Sequence, residues 1–119
     1  MHSPPTIAII DDDQSVRESL IDLLEVLGFS PTSYASAFEF LASSSLSQTD
    51  CLLLDISMPG MNGVELNAEL TSRSINIPVV FMTGHAQETM ISEARSAGAC
   101  LFKPFAGREL KAAIEAAIT

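Results

Sequence analysis

The sequence predicts an α/β domain: a doubly wound parallel sheet of (βα)5 order with strands arranged 2-1-3-4-5. Short apolar runs at residues 6–10, 51–54 and 78–82 suit strands covered on both faces. The segments between them repeat their apolar residues at helical spacing. With 119 residues, 47% hydrophobic and 18% charged, the chain fits one domain, residues 1–119, with a packed core.

Each element has its own signal. Residues 6–10 are rich in β-branched residues and stop at three aspartates, the last of which, Asp13, is placed to cap a helix. Val16, Leu20, Leu23, Leu24 and Leu27 form one stripe of that helix, and Gly28 stops it. Residues 29–34 are half polar and read as an edge strand. Ser36 caps a short helix expected to turn Phe38 and Leu41 inward, with Phe40 as a third candidate. Residues 43–49 are a serine-rich loop, and Cys51-Leu52-Leu53-Leu54 is a buried strand ending on Asp55. Pro59-Gly60 and Asn62-Gly63 force turns before a helix over 64–73 that buries Leu66 and Leu70. Residues 78–82 form a strand ending at Thr83. A helix over 88–97 follows, with Met90, Ile91 and Ala94 inward and Gly98 as its stop. Leu101-Phe102 is a last short strand before Lys103-Pro104, and Leu110, Ile114, Ala117 and Ile118 stripe a terminal helix. Right-handed crossovers on this order permit the flavodoxin-like sheet 2-1-3-4-5.

Fifteen acidic against six basic residues give a formal charge of −9. That balance argues against direct nucleic-acid binding by this chain, which needs clustered Lys and Arg. No apolar run approaches a membrane span, and Met1-His2-Ser3-Pro4-Pro5 resembles no secretory leader. Cys51 and Cys100 sit in apolar segments away from other metal-ligand residues and read as core hydrophobes of a cytoplasmic protein.

Ligands of open parallel sheets bind beyond the carboxyl ends of the strands, and these ends carry chemistry. The first strand delivers Asp11 and Asp12, the third Asp55, the fourth Thr83 and the fifth Lys103. Neighbouring strands about 4.8 Å apart bring the carboxylates together. Two such charges ~4 Å apart repel by roughly 4 kcal/mol at an effective dielectric of 20. A divalent cation relieves that repulsion, and an all-oxygen site suits Mg2+. Lys103 and Thr83 would supply a cation and a hydroxyl to a phosphoryl group. Taken singly, each of these residues reads as a cap, a turn or an ordinary strand end; the conjunction carries the signal.

Asp11-Asp12, Asp55 followed by Met58-Pro59-Gly60-Met61-Asn62-Gly63, Thr83-Gly84, and Lys103-Pro104-Phe105 together resemble a response-regulator receiver domain. Ile77-Pro78 and Thr83-Gly84-His85 look most like the FixJ-type branch, whose members usually carry a DNA-binding domain after the receiver. The resemblance implies a phosphoacceptor, Asp55, charged from the phosphohistidine of a sensor histidine kinase. It implies Mg2+ held by Asp12, Asp55 and the main-chain carbonyl of Ser57, with Asp11 acting through a metal-bound water. Lys103 would pair with the acceptor and then with the phosphoryl oxygens, and Thr83 would be the switch hydroxyl. Ser57 and His85, two residues past Asp55 and Thr83, would tune hydrolysis. The Lys103-Pro104 bond would be cis. The output would be a changed surface of the fourth helix, fifth strand and fifth helix that controls a homodimer or an output domain, not a released product.

One departure from the family pattern stands out. Only Cys100, Leu101 and Phe102 separate Ala99 from Lys103, two residues fewer than usual. The aromatic switch normally lies three before the lysine, where this chain has Cys100. Phe102 is the remaining switch candidate, against the plainer reading of a core aromatic. Three other functions fit less well. A haloacid-dehalogenase-type phosphatase would match Asp11-Asp12-Asp13, but Ser15-Val16 departs from its motif and the chain is short for its cap. A flavin binder would not place three aspartates against a phosphate. A receiver-like interaction module that is never phosphorylated normally lacks an acidic residue or the lysine, and all are present here.

Overall fold

A computed structural model describes residues 3–119; Met1 and His2, part of the start compared with a leader, lie outside the described residues. The strands are β1 (Thr6–Ile10), β2 (Ser30–Tyr34), β3 (Cys51–Asp55), β4 (Val79–Thr83) and β5 (Ala99–Phe102). Between and after them run α1 (Gln14–Val26), α2 (Ala37–Leu41), α3 (Gly63–Ser72), α4 (Glu88–Ala97) and α5 (Gly107–Ile118). A single 3-10 turn, Leu46–Gln48, interrupts the serine-rich loop. All strands pair in parallel in the order β2-β1-β3-β4-β5, as the sequence predicts. Among the described residues no helix is long and apolar enough to cross a membrane.

Strand alternation sorts the core into two layers. Ala8, Ile10, Leu52, Leu54 and Phe81 face α2, α3 and α4, where they meet Phe40, Leu66, Leu70 and Ala94. Ile7, Ile9, Leu53, Val80 and Met82 face α1 and α5, where they meet Leu20, Leu24, Leu110 and Ile114. Because β1, β3 and β4 are apolar on both faces, they occupy the centre of the sheet.

The helix starts follow from local hydrogen bonding. Asp13 caps α1 by accepting from the Ser15 and Val16 amides, and Ser36 caps α2 by accepting from Glu39. Asn62 is more than a turn residue: it and Glu65 form a reciprocal capping box at the start of α3. Gly28, at φ 94°, takes the left-handed conformation that ends α1.

Three inward assignments need correction. Phe40 is fully buried, edge-on to Tyr34 at 5.2 Å, while Phe38 is 58% exposed and lies against Gly60. The Ser36 cap fixes the phase of α2, so Ala37 and Phe40 share its inner face. Ile118, on the last turn of α5, is exposed, whereas Ala117 packs against the core. Phe102 is not a core aromatic, since it is 47% exposed.

The short stretch before Lys103 still forms a strand. Gly98 alone separates α4 from β5, and β5 pairs with β4 along its length, from Val80–Ala99 to Thr83–Phe102. Cys100 is half-buried and Cys51 fully buried; both are free thiols. Burial and the neighbouring Asp50 charge push the Cys51 thiol up to about 12.

Gly63 ties the fold to the end of β3. A Cβ there would lie 2.5 Å from the Asp55 carbonyl oxygen and 3.1 Å from the Ile56 Cα. Both obstacles are backbone, so neither can rotate away. Gly63→Ala should therefore destabilise the domain by about 2–3 kcal/mol, measured by urea unfolding.

Candidate functional site

Ile10 and Leu54 pair across β1 and β3, so the residues that follow them emerge side by side. One carboxylate oxygen from each of Asp11, Asp12 and Asp55 can be chosen so that all three lie within 4.8 Å of one another. Asp11 is fully buried, Asp55 is 5% exposed and Asp12 is exposed.

The three differ in how much of their hydrogen-bonding capacity is already used. Asp11 is engaged on every side. Its Oδ1 accepts from the Asp13 amide at 2.9 Å, and its Oδ2 accepts from Lys103 Nζ at 2.9 Å. Its amide donates to the Tyr34 carbonyl, and its own carbonyl accepts from Arg17 Nη1 at 2.8 Å. Asp55 accepts from the Ser57 amide on Oδ1, at 3.1 Å, and its Oδ2 lies 3.7 Å from Lys103 Nζ. Among the described residues no side-chain hydrogen bond or ion pair engages Asp12. Oxygens of Asp12 and Asp55 are thus the ones left to take a cation, and this donor set fits Mg2+.

Electrostatics follow from that crowding. Burial, then the Asp11 charge, pushes the Asp55 carboxyl up to about 6, against the opposing pull of Lys103 and the Ser57 amide. Burial works against the Lys103 ammonium, but its bond to Asp11 and the charge of Asp55 outweigh this and hold its pKa above the ordinary value. The lysine sits closer to Asp11 than to Asp55.

Thr83 ends β4, one residue past Met82, the register partner of Asp55. It is 1% exposed, and its Oγ1 has no hydrogen-bond partner among the described residues. An unpaired buried hydroxyl costs on the order of 1–3 kcal/mol, which a ligand oxygen would recover. The Thr83 carbonyl accepts from the Lys103 amide at 2.8 Å, so hydroxyl and ammonium belong to adjacent strand ends.

Ser57 and His85 also meet, through one bond. The Ser57 hydroxyl donates to the His85 carbonyl at 3.0 Å, joining the loops after β3 and β4. Phe102 pairs with Thr83 in register, but its ring lies on the outer face under the Arg95 guanidinium, 5.3 Å from the centroid. Lys103-Pro104 is cis. Arg17, half-buried on α1, escaped the sequence reading because its bond is to a backbone carbonyl across the loop.

The family model for the response regulator receiver domain matches residues 7–115. The chain belongs to this family. Among curated relatives, transcriptional regulatory protein FixJ of Rhizobium meliloti is 41% identical over 114 residues, covering 94% of this chain and 56% of that protein. Nodulation protein W of Bradyrhizobium diazoefficiens is 38% identical over 113 residues, covering 93% and 50%. The receiver thus spans about half the length of the curated relatives it matches. Its backbone follows the crystal structure of FixJ-N with a TM-score of 0.86, at 38% identity over 99% of this chain and 95% of that one. Response regulator StyR gives 0.86 at 44% identity, over 97% of this chain and 59% of that one. The chain is therefore a signalling domain of two-component response regulators.

Proposed function

We propose that this receiver takes a phosphoryl group from the phosphohistidine of a sensor histidine kinase onto Asp55. The observation that carries the reading is the placement of Asp55 Oδ2 beside Lys103 while the buried Thr83 hydroxyl lacks a partner among the described residues. In the transfer, an Asp55 oxygen forms a bond to phosphorus as the phosphorus–nitrogen bond breaks, and its electron pair returns to the imidazole. Lys103 moves its bond toward the phosphoryl oxygens, leaving Asp11, and Thr83 Oγ1 donates to another. Asp12, Asp55 and the Ser57 carbonyl would hold Mg2+, with Asp11 acting through a bound water. The ion would neutralise charge that otherwise repels an anionic donor. The domain catalyses its own charging and hydrolysis and is no turnover enzyme.

The test is intact mass after incubation with a small phosphodonor. One phosphoryl group should add with Mg2+ and none with excess chelator. Labelling that ignores the chelator would contradict the metal reading.

Water attack on the acyl phosphate resets the site, and Ser57 and His85 flank it. Ser57→Ala and His85→Ala should each change the decay of the phosphoryl group several-fold, followed by mass against time. Unchanged decay in both would remove them from the site.

The output is a surface change. Thr83 opens the loop into α4 and Lys103 ends β5, so both pull on one face. Glu88, Ile91, Arg95 and the exposed Phe102 line a groove there, which we read as a phosphorylation-dependent homodimer surface, with Phe102 as its switch aromatic. We read residues 1–119 as one receiver domain working in the cytoplasm, which controls a homodimer or an output domain, transcriptional as the name of FixJ suggests. It should bind no nucleic acid itself, given its −9 charge, which a gel shift at physiological salt checks.

A further inference from the structure

We infer that Arg17 is a positioning residue of the cation site, aiming the Asp12 carboxylate by holding the peptide plane between Asp11 and Asp12. Its Nη1 donates to the Asp11 carbonyl at 2.8 Å. Because a peptide unit is planar, fixing that carbonyl also fixes the Asp12 nitrogen and Cα, and so the origin of the Asp12 side chain. Asp12 has no other restraint of this kind: it is exposed, and no side-chain bond among the described residues engages it. Asp11, by contrast, is tied through its amide and both carboxylate oxygens. The Asp11 carbonyl is thus the point at which a fixed residue hands its orientation to a free one.

Arg17 is well built for this. Its own amide is tied to the Asp13 carbonyl at 3.0 Å, which sets the helix carrying it onto the same loop. Its guanidinium makes no ion pair with a carboxylate among the described residues. It acts on the backbone, and a planar fork is better suited to that than a mobile ammonium.

Charge and position predict opposite signs. A guanidinium near the cluster repels an incoming divalent cation, so if charge were its whole effect, removing it would tighten Mg2+ binding. If it positions Asp12, removing it weakens binding despite the lost repulsion. The inference rests on the proposal that Asp12 and Asp55 take Mg2+.

The experiment is a calorimetric Mg2+ titration of the whole chain as wild type, Arg17→Met, Arg17→Gln and Arg17→Lys, with circular dichroism to confirm folding. Arg17→Met keeps the apolar stem, and Arg17→Gln is a polar second variant that guards against a packing artefact. Loss of an outer partner of a metal ligand typically costs 10–100-fold in affinity, so Kd should rise about 10-fold in both, with partial recovery in Arg17→Lys. The amide resonances of Asp12 and Asp13 should shift in the metal-free variants, a signature that lost charge alone would spread more widely. Equal or tighter Mg2+ binding in both folded variants overturns the inference alone. Absence of Mg2+ uptake by the wild type overturns the metal reading and this inference with it.

Discussion

Lys103→Met should lower the stability of the metal-free domain by about 2 kcal/mol while raising its affinity for Mg2+. Among the described residues the ammonium is the one cation paired with the buried Asp11 carboxylate, at 2.9 Å, and it stands 3.7 Å from Asp55. Removing one partner of a buried pair costs about 3–5 kcal/mol; the Lys103 side chain keeps 25% of its surface exposed, which reduces the loss. Methionine preserves most of the stem volume, so the loss is mainly electrostatic. The same vacancy deepens the negative potential that attracts a divalent ion, so stability and metal affinity move in opposite directions. Paired urea denaturation and Mg2+ titration check this. Unchanged stability in the absence of metal would show that Asp11 is satisfied without the lysine.

Asp55→Asn should have the reverse effect on stability, and only above a certain pH. The Asp55 carboxyl titrates near 6 in the folded chain against 3.8 as its ordinary value, because burial and then Asp11 disfavour its charge. A raised pKa contributes stability that is complete below about 3.8 and is lost as pH rises through about 6. The metal-free wild type at pH 8 thus carries a penalty on the order of 1–3 kcal/mol. Asparagine can keep the bond from the Ser57 amide without the charge. Asp55→Asn should therefore be the more stable protein at pH 8, and its advantage should vanish below pH about 4. Saturating Mg2+ should restore the wild type and leave the variant little changed. Thermal melts across that pH range with chelator present give the answer, and a variant no more stable at pH 8 would contradict the burial argument.

The sheet was legible because each central strand announces itself twice, by apolar residues on both faces and by a polar residue where it stops. Asp11, Asp55 and Thr83 are those stops, so reading strand ends also picked out residues of the candidate site, with Lys103 at the end of the edge strand β5. Features that depend on phase or on backbone contacts were less visible. Phe38 and Phe40 differ only in the side of a short helix they occupy, and the Ser36 cap decides that side. The capping role of Asn62 was hidden by its place in an Asn-Gly turn. Phe102 looked like core because strands usually bury aromatics, yet its place at the end of the outermost β5 leaves it exposed beneath Arg95. Arg17 could not be found from side-chain pairing patterns, since its partner is a carbonyl.

Every step proposed for this site depends on Asp55 being the phosphoacceptor. The most direct measurement is peptide mapping by tandem mass spectrometry after charging the wild type with a small phosphodonor and Mg2+. An Asp55 acceptor predicts a hydroxylamine-labile phosphoryl group on the peptide containing Asp55, and no label anywhere in Asp55→Asn. A phosphoryl group on another residue of the wild type, or undiminished labelling of Asp55→Asn, would contradict it.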